Sequence, residues 1–106
     1  MAGEERFFAD LVQDLLNAKK NGALYISVVE TSEDIVRMYF KDGQIYHLRY
    51  GTAIGKDCLD ILEYYNLYSA TFFEGINAPD KPAADLPPTT EILSRIKRMN
   101  KKLKMK

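Results

Sequence analysis

Residues 35–50 read IVRMYFKDGQIYHLRY, two runs of β-branched and aromatic residues on either side of Asp42-Gly43. An Asp-Gly pair between such runs is typical of a two-residue hairpin turn, in which both residues adopt positive φ. The turn fixes the register of the two strands. It predicts four cross-strand pairs: Phe40–Ile45, Tyr39–Tyr46, Met38–His47 and Arg37–Leu48.

Two further strands are predicted around this hairpin. Residues 23–28 precede it with aliphatic side chains at every second position, and residues 70–74 follow as a short aromatic run. Both patterns are typical of β-strands. One face of the sheet is the predicted core, and it carries Leu24, Ile26, Val28, Val36, Met38, Phe40 and Ile45.

Three helices accompany these strands. Apolar side chains at three- and four-residue spacings place the first helix at about residues 5–20 and the second at residues 52–66. The third begins at Thr89 or Thr90, either of which can cap a helix that follows two prolines. Its apolar stripe consists of Ile92, Ile96, Met99 and Leu103.

The order of these elements predicts an α+β fold rather than a doubly wound one. It runs helix, three-stranded antiparallel meander, helix, fourth strand, linker and C-terminal basic helix. All four prolines lie within residues 75–88, which contain few apolar residues. The sequence therefore predicts a body at residues 1–76, a Pro-rich linker at residues 77–88 and a basic amphipathic helix at residues 89–106.

Composition limits the class of protein. The 106 residues are 46% hydrophobic and 28% charged, as expected of one globular domain. Cys58 is the single cysteine, so no internal disulfide can form. No apolar run could cross a membrane, and residues 1–5 are acidic where a secretion signal would be basic. We expect a cytoplasmic protein.

The net charge of zero conceals a dipolar distribution. Residues 95–106 hold seven basic and no acidic residues, whereas the rest of the chain holds eight basic and fifteen acidic ones. The basic segment should therefore attract an anionic partner, the simplest of which is the acidic body of this chain or of a second copy.

Candidate chemical groups are few. The turn between Gly51 and Lys56 resembles a phosphate-binding loop, but only three residues separate its glycines, and Asp57 stands where Ser or Thr would reach magnesium. His47 is the only histidine and lies within a predicted strand, where packing is the favoured interpretation. Cys58 lies on the apolar side of the second helix, which favours a buried, inert thiol. We expect no enzyme activity, no cofactor and no metal.

Seven tyrosines and no tryptophan suggest a surface instead. The second face of the predicted sheet carries Tyr25, Tyr39, Tyr46 and Tyr50 together with Val29, Ile35 and Leu48. Tyrosine is well suited to interfaces because its ring is apolar and its hydroxyl is polar. Such a face is either covered by the third helix or offered to a partner.

Three stretches of the chain carry a family resemblance. Residues 20–24 read KNGAL, residues 39–47 read YFKDGQIYH, and residues 70–73 read ATFF. In this order they resemble the PATAN domain, the N-terminal domain of PatA-type bacterial response regulators, over about residues 7–76. The resemblance implies a non-catalytic interaction module in bacterial signalling or motility, with receiver-domain or motility proteins as partners. Such domains are often fused to receiver domains. Because this sequence contains no receiver domain, we expect a stand-alone version.

We therefore expect a non-enzymatic protein–protein interaction module that forms a homodimer. The residues expected to contact a partner are Tyr25, Tyr39, Tyr46, Leu48, Tyr50, Ile92, Ile96 and Met99. The alternative is a small-ligand or nucleotide-sensing domain that uses the turn between Gly51 and Lys56. Nucleic acid and membrane surfaces are the least favoured partners. Single-stranded nucleic acid is disfavoured because no aromatic residue follows Phe73 for base stacking.

Overall fold

The computed structural model describes residues 5–105 of the protein. Residues 1–4, which include the acidic Glu4, and the basic Lys106 lie outside the described residues, and the signal and charge predictions partly rest on them. Within them the helices are α1 (Phe8–Asn17), α2 (Lys56–Tyr64) and α3 (Thr89–Met99). The strands are β1 (Glu5–Phe7), β2 (Gly22–Val28), β3 (Val36–Lys41), β4 (Gln44–Tyr50), β5 (Ala53–Ile54), β6 (Leu67–Glu74) and β7 (Lys102–Met105).

The strands form one mixed sheet in the order β1-β7-β6-β2-β3-β4-β5. Neighbouring strands are antiparallel, except β6 and β7, which are parallel. α3 lies in the crossover between these two strands, because parallel neighbours cannot be joined by a tight turn. The mixed sheet and its three helices confirm the α+β class.

The detailed order of elements differs from the prediction, because the sheet has seven strands instead of four and the described chain ends in a strand. β1, β5 and β7 are two to four residues long, too short to produce a clear sequence pattern. α3 ends at Met99 because Asn100 adopts a left-handed φ of 54°. Leu103 therefore lies on β7 and not on the helix. α1 likewise begins only at Phe8, since residues 5–7 pair with β7.

The central hairpin turn is confirmed, whereas most of its register is wrong. Asp42 and Gly43 adopt φ of 52° and 76°, as a two-residue turn of this kind requires. A β-bulge at Tyr46 then shifts the pairing by one residue. Only Phe40–Ile45 is as predicted, and the pairs beyond it are Tyr39–His47, Met38–Leu48 and Arg37–Arg49.

All three helices contribute to one core on a single face of the sheet. Phe8 of α1, Leu59 of α2 and Ile92 of α3 have no exposed surface, and they belong to the same buried cluster as Leu24 of β2. Leu103 of β7 is 1% exposed within that cluster. The predicted boundaries at residues 76 and 89 therefore do not separate two cores.

The basic segment contacts the acidic body of the same chain. Arg95 of α3 binds Asp60 and Glu63 of α2, each at 3.0 Å. The ammonium of Lys101 donates to backbone carbonyls at the end of α2, among them Leu62 O at 2.6 Å. Since the last carbonyls of a helix lack partners within it, Lys101 closes α2 as a cap.

Candidate binding site on the outer face of the sheet

The outer face of the sheet is the face opposite the helices. Alternation along the paired strands places on it Tyr25, Arg37, Tyr39, His47, Arg49, Thr71 and Phe73. Tyr39 is 2% exposed, and its ring stacks on His47 at 5.6 Å between ring centroids. Burial raises the pKa of the Tyr39 hydroxyl, so this side chain is uncharged on the outer face.

The bulge at Tyr46 decides which part of β4 belongs to the outer face. It turns His47 and Arg49 outward, and it sends Leu48 into the core beside Met38, where Leu48 has no exposed surface. Tyr50 also lies on the helix side, with its ring 6.0 Å from that of Tyr65. Sequence alternation alone assigned Leu48 and Tyr50 to the wrong face.

Part of the Pro-rich segment, residues 76–80, crosses the outer face and is anchored there. Ala78 N donates a hydrogen bond of 3.0 Å to the hydroxyl of Tyr46. The carboxylate of Asp80 lies 3.1 Å from His47 Nε2 and 2.7 Å from Arg49 Nη1. The sequence predicts a linker here, whereas the structure shows a segment fixed to the sheet.

A cleft of about 490 Å³ lies between this segment and the strands. We call it the Arg37–Arg49 cleft. Its lining consists of Tyr25, Arg37, Tyr39, Arg49, Ile76, Asn77 and Pro79. Two guanidinium groups, two phenol rings and one carboxamide thus converge on a space large enough for a small organic molecule.

Both arginines of the cleft are held in position from its edges. Arg49 Nε donates to Gly51 O at 3.0 Å, and Arg49 Nη1 binds Asp80. Arg37 Nη1 lies 3.4 Å from Asp34, and its guanidinium carbon is 5.5 Å from the centroid of the Tyr25 ring. A guanidinium has five N–H donors, so each arginine keeps donors for a ligand.

Farther along the outer face, exposed rings lie beside lysines. Phe7 is 38% exposed with Lys102 Nζ 4.8 Å from its centroid, and Tyr68 is 48% exposed with Lys104 Nζ at 5.6 Å. Phe73 is 41% exposed and lies 5.0 Å from Tyr25 between ring centroids. Together with the cleft, these residues form a surface that is both aromatic and basic.

The three predicted contact residues of α3 are not on this surface. Ile92 and Ile96 are buried in the core, and Met99 packs against it half-buried, so all three serve α3 rather than a partner. Tyr25 and Tyr46 are half-buried on the outer face, as predicted. The sequence analysis missed Arg37, although its parity with Tyr39 along β3 was a usable signal.

The turn between Gly51 and Lys56 is covered by the chain itself. A side-chain carbon at Gly55 would collide with Asp85 and Ala83, because residues 83–85 lie against the start of α2. A carboxylate thus already lies at the helix N-terminus where a phosphate would have to bind.

The two reactive side chains named from the sequence are both buried. Cys58 has no exposed surface, and burial raises the pKa of its thiol to about 12. His47 has no exposed surface either, and its Nδ1 has no hydrogen-bond partner within residues 5–105. In the same part of the chain, no three His, Cys, Asp or Glu side chains lie together as potential metal ligands.

The chain gives no match to any family model, curated protein or solved structure with which it was compared. Across residues 5–105, no helix combines the length and the apolar character needed to span a bilayer.

Proposed function

We propose that the protein is a non-catalytic interaction module that binds an acidic polypeptide through the outer face of its sheet. The observation that carries this proposal is the set of exposed rings paired with cations on the face that the helices leave uncovered. Phe7 with Lys102 and Tyr68 with Lys104 are two such pairs, both on strands at one side of the sheet.

The chemistry of this surface suits a protein partner. Aromatic residues and arginine are enriched at the centres of protein interfaces, where they supply apolar area and directed hydrogen bonds. The lysines at the rim would steer an acidic partner toward the rings. Lys102 Nζ lies 4.0 Å from a carboxylate oxygen of Glu5, a long and exposed ion pair that an acidic partner could replace.

Two further points support the same class. The buried positions of Cys58 and His47 give a substrate no access to the side chains best suited to nucleophilic or acid–base chemistry. The resemblance of residues 7–76 to the PATAN domain suggests a bacterial, cytoplasmic signalling or motility setting. Receiver-domain or motility proteins are then the partners to test, and a second copy of this chain is another.

The experiment compares two Tyr→Ser variants that differ in location. Tyr68→Ser removes an exposed ring from the outer face, whereas Tyr64→Ser removes a ring that is 76% exposed on α2. We expect proteins captured from a bacterial lysate, or self-association measured by sedimentation, to be lost in Tyr68→Ser and kept in Tyr64→Ser.

Two results would reject the proposal. One is equal capture and equal mass for both variants and the unmodified chain. The other is preferential binding of single-stranded nucleic acid with a steep dependence on salt, which would assign the basic and aromatic surface to bases and phosphates.

A further inference from the structure

We propose that the Arg37–Arg49 cleft binds an organic phosphate, that is, a phosphate monoester of a molecule that also contains a planar ring. The phosphate would lie between the two guanidinium groups, and the ring would lie against the tyrosine side of the cleft. This inference does not rest on the proposed function, because it concerns a small ligand and not a polypeptide surface.

The placement of the two arginines is the first argument. Arg37 and Arg49 are direct partners across β3 and β4, and both side chains line the same cleft. Like charges directly opposite each other in a sheet are destabilising. Asp34 and Asp80 offset part of this repulsion from outside the cleft. A phosphate between the two guanidinium groups would add two charge-assisted interactions, and guanidinium groups match phosphate oxygens in geometry.

The positioning of these side chains is the second argument. Gly51 O and Asp80 hold Arg49 from one side, and the Tyr25 ring and Asp34 hold Arg37 from the other. Side chains that are already ordered lose little entropy when a ligand binds. The guanidinium groups are therefore arranged for an anion before it arrives.

The lining of the cleft is the third argument. Within the described residues 5–105 it contains two cations and no carboxylate, since Asp34 and Asp80 contact the arginines from outside the lining. The lining therefore favours an anionic group, and the oxygens of a phosphate monoester can accept from both guanidinium groups at once.

The size and apolar walls of the cleft indicate that the ligand is more than a bare phosphate. Its volume of about 490 Å³ falls in the range of sites for small organic ligands. Tyr25 and Pro79 supply flat apolar surface, against which a planar ring can stack. Asn77 adds a carboxamide that can hydrogen-bond the ring or its substituents.

The test is calorimetric titration of the full chain with phenyl phosphate, with inorganic phosphate and phenol as the separated halves of that probe. We expect phenyl phosphate to bind more tightly than either half. Arg37→Gln should weaken it by about tenfold or more, because a charge-assisted interaction is lost. The affinity of Arg37→Lys for phenyl phosphate should lie between those of Arg37→Gln and the unmodified chain. Arg98→Gln, which removes an exposed charge on α3, should bind phenyl phosphate as the unmodified chain does.

Arg37 is the appropriate side chain to change because Arg49 also anchors Asp80. Its removal relieves the repulsion from Arg49 but also removes the ion pair with Asp34 and the contact with the Tyr25 ring, so we expect the melting temperature of Arg37→Gln to change little. NMR shift mapping on the unmodified chain provides a second measurement, with changes expected at Tyr25 and Asn77.

Two further arms identify the source of the ligand. If adenosine monophosphate binds more tightly than phenyl phosphate, the ligand is a free nucleotide. If a phosphotyrosine peptide binds more tightly than phenyl phosphate, the ligand is a modified protein. Either result supports the site. No binding of phenyl phosphate, unchanged affinity in Arg37→Gln, or shifts confined to residues outside the cleft would overturn it. Tyr68→Ser, which tests the proposed function, should bind phenyl phosphate normally, so the two proposals fail independently.

Discussion

Asp85 lies against Gly55 at the start of α2, where a side-chain carbon on the glycine would collide with the carboxylate. Gly55 also has φ of 60°, a conformation that other residues adopt only with strain. The contact fixes the second half of the Pro-rich segment to the body, just as Asp80 fixes the first half to the sheet.

Gly55→Ala should therefore release residues 83–86 and destabilise the fold. We expect a loss of more than about 1 kcal/mol in the free energy of unfolding, from backbone strain and collision together. Urea denaturation gives the loss, and hydrogen exchange at Leu86 N, which bonds to Ala83 O at 3.2 Å, reports the release. Gly75→Ala is the control: its φ of 81° is equally unusual, but no atom lies within 4 Å of the added carbon. Equal exchange at Leu86 in both variants would show that the contact with Asp85 does not hold the segment.

Gly43→Val tests the central turn. A β-branched residue tolerates a φ of 76° poorly, so we expect a loss of more than about 1 kcal/mol. Gly43→Asn should lose much less, because Asn adopts the left-handed region more readily. Equal denaturation midpoints for the two variants would contradict the role assigned to the turn.

Leu103→Ala tests the integration of β7 into the fold. This side chain is 1% exposed and belongs to the core, so its truncation should remove about 3 kcal/mol of stability. Lys104→Ala changes the next residue, which is exposed, and should remain within about 0.5 kcal/mol of the unmodified chain. If the two variants melt together, β7 is not a structural strand.

Cys58 predicts a dependence of stability on alkaline pH. Its pKa is about 12 in the folded chain against a model-compound value of 9.0, so between these values the unfolded chain loses the proton and the folded chain keeps it. The unfolded chain then binds fewer protons than the folded chain, so the free energy of unfolding falls as pH rises through this window. At pH 10 the thiol should account for about 1 kcal/mol of the loss relative to pH 8.

Cys58→Ala provides the measurement for this effect. The variant should lose less stability between pH 8 and pH 10 than the unmodified chain, when each is unfolded by urea. Tyr39 and Tyr50 also have pKa values raised by burial and act in the same direction, but they are present in both proteins and cancel in the comparison. Identical slopes would mean that the thiol is not buried.

The parts of the fold that could be predicted are those with a local physical signature. Asp42-Gly43 identifies the hairpin turn because few residue pairs accept two positive φ angles. Ile92 and Ile96 identify the buried face of α3 because helical spacing brings them together. Both signals are contained in the sequence around them.

The rest depends on distant partners. β1 pairs with β7, and β7 pairs with both β1 and β6, but neither strand has a pattern of its own. The bulge at Tyr46 adds one residue to β4 without a glycine or other marker, yet it decides that Arg49 faces outward beside Arg37. For this reason Tyr25, Tyr39 and Arg37 could be placed on the outer face from alternation, whereas the pairing of Arg37 with Arg49 could not.

The position of β7 between β1 and β6 also orders events in time. The chain is synthesised from its N-terminus, so β1 and β6 both emerge before the strand that joins them. Until residue 105 is available, β6 keeps one edge without a hydrogen-bonding partner, and β1 has no place in the sheet. An unpaired edge can accept a strand from another molecule, so the nascent protein is exposed to mispairing at β6 until β7 has emerged.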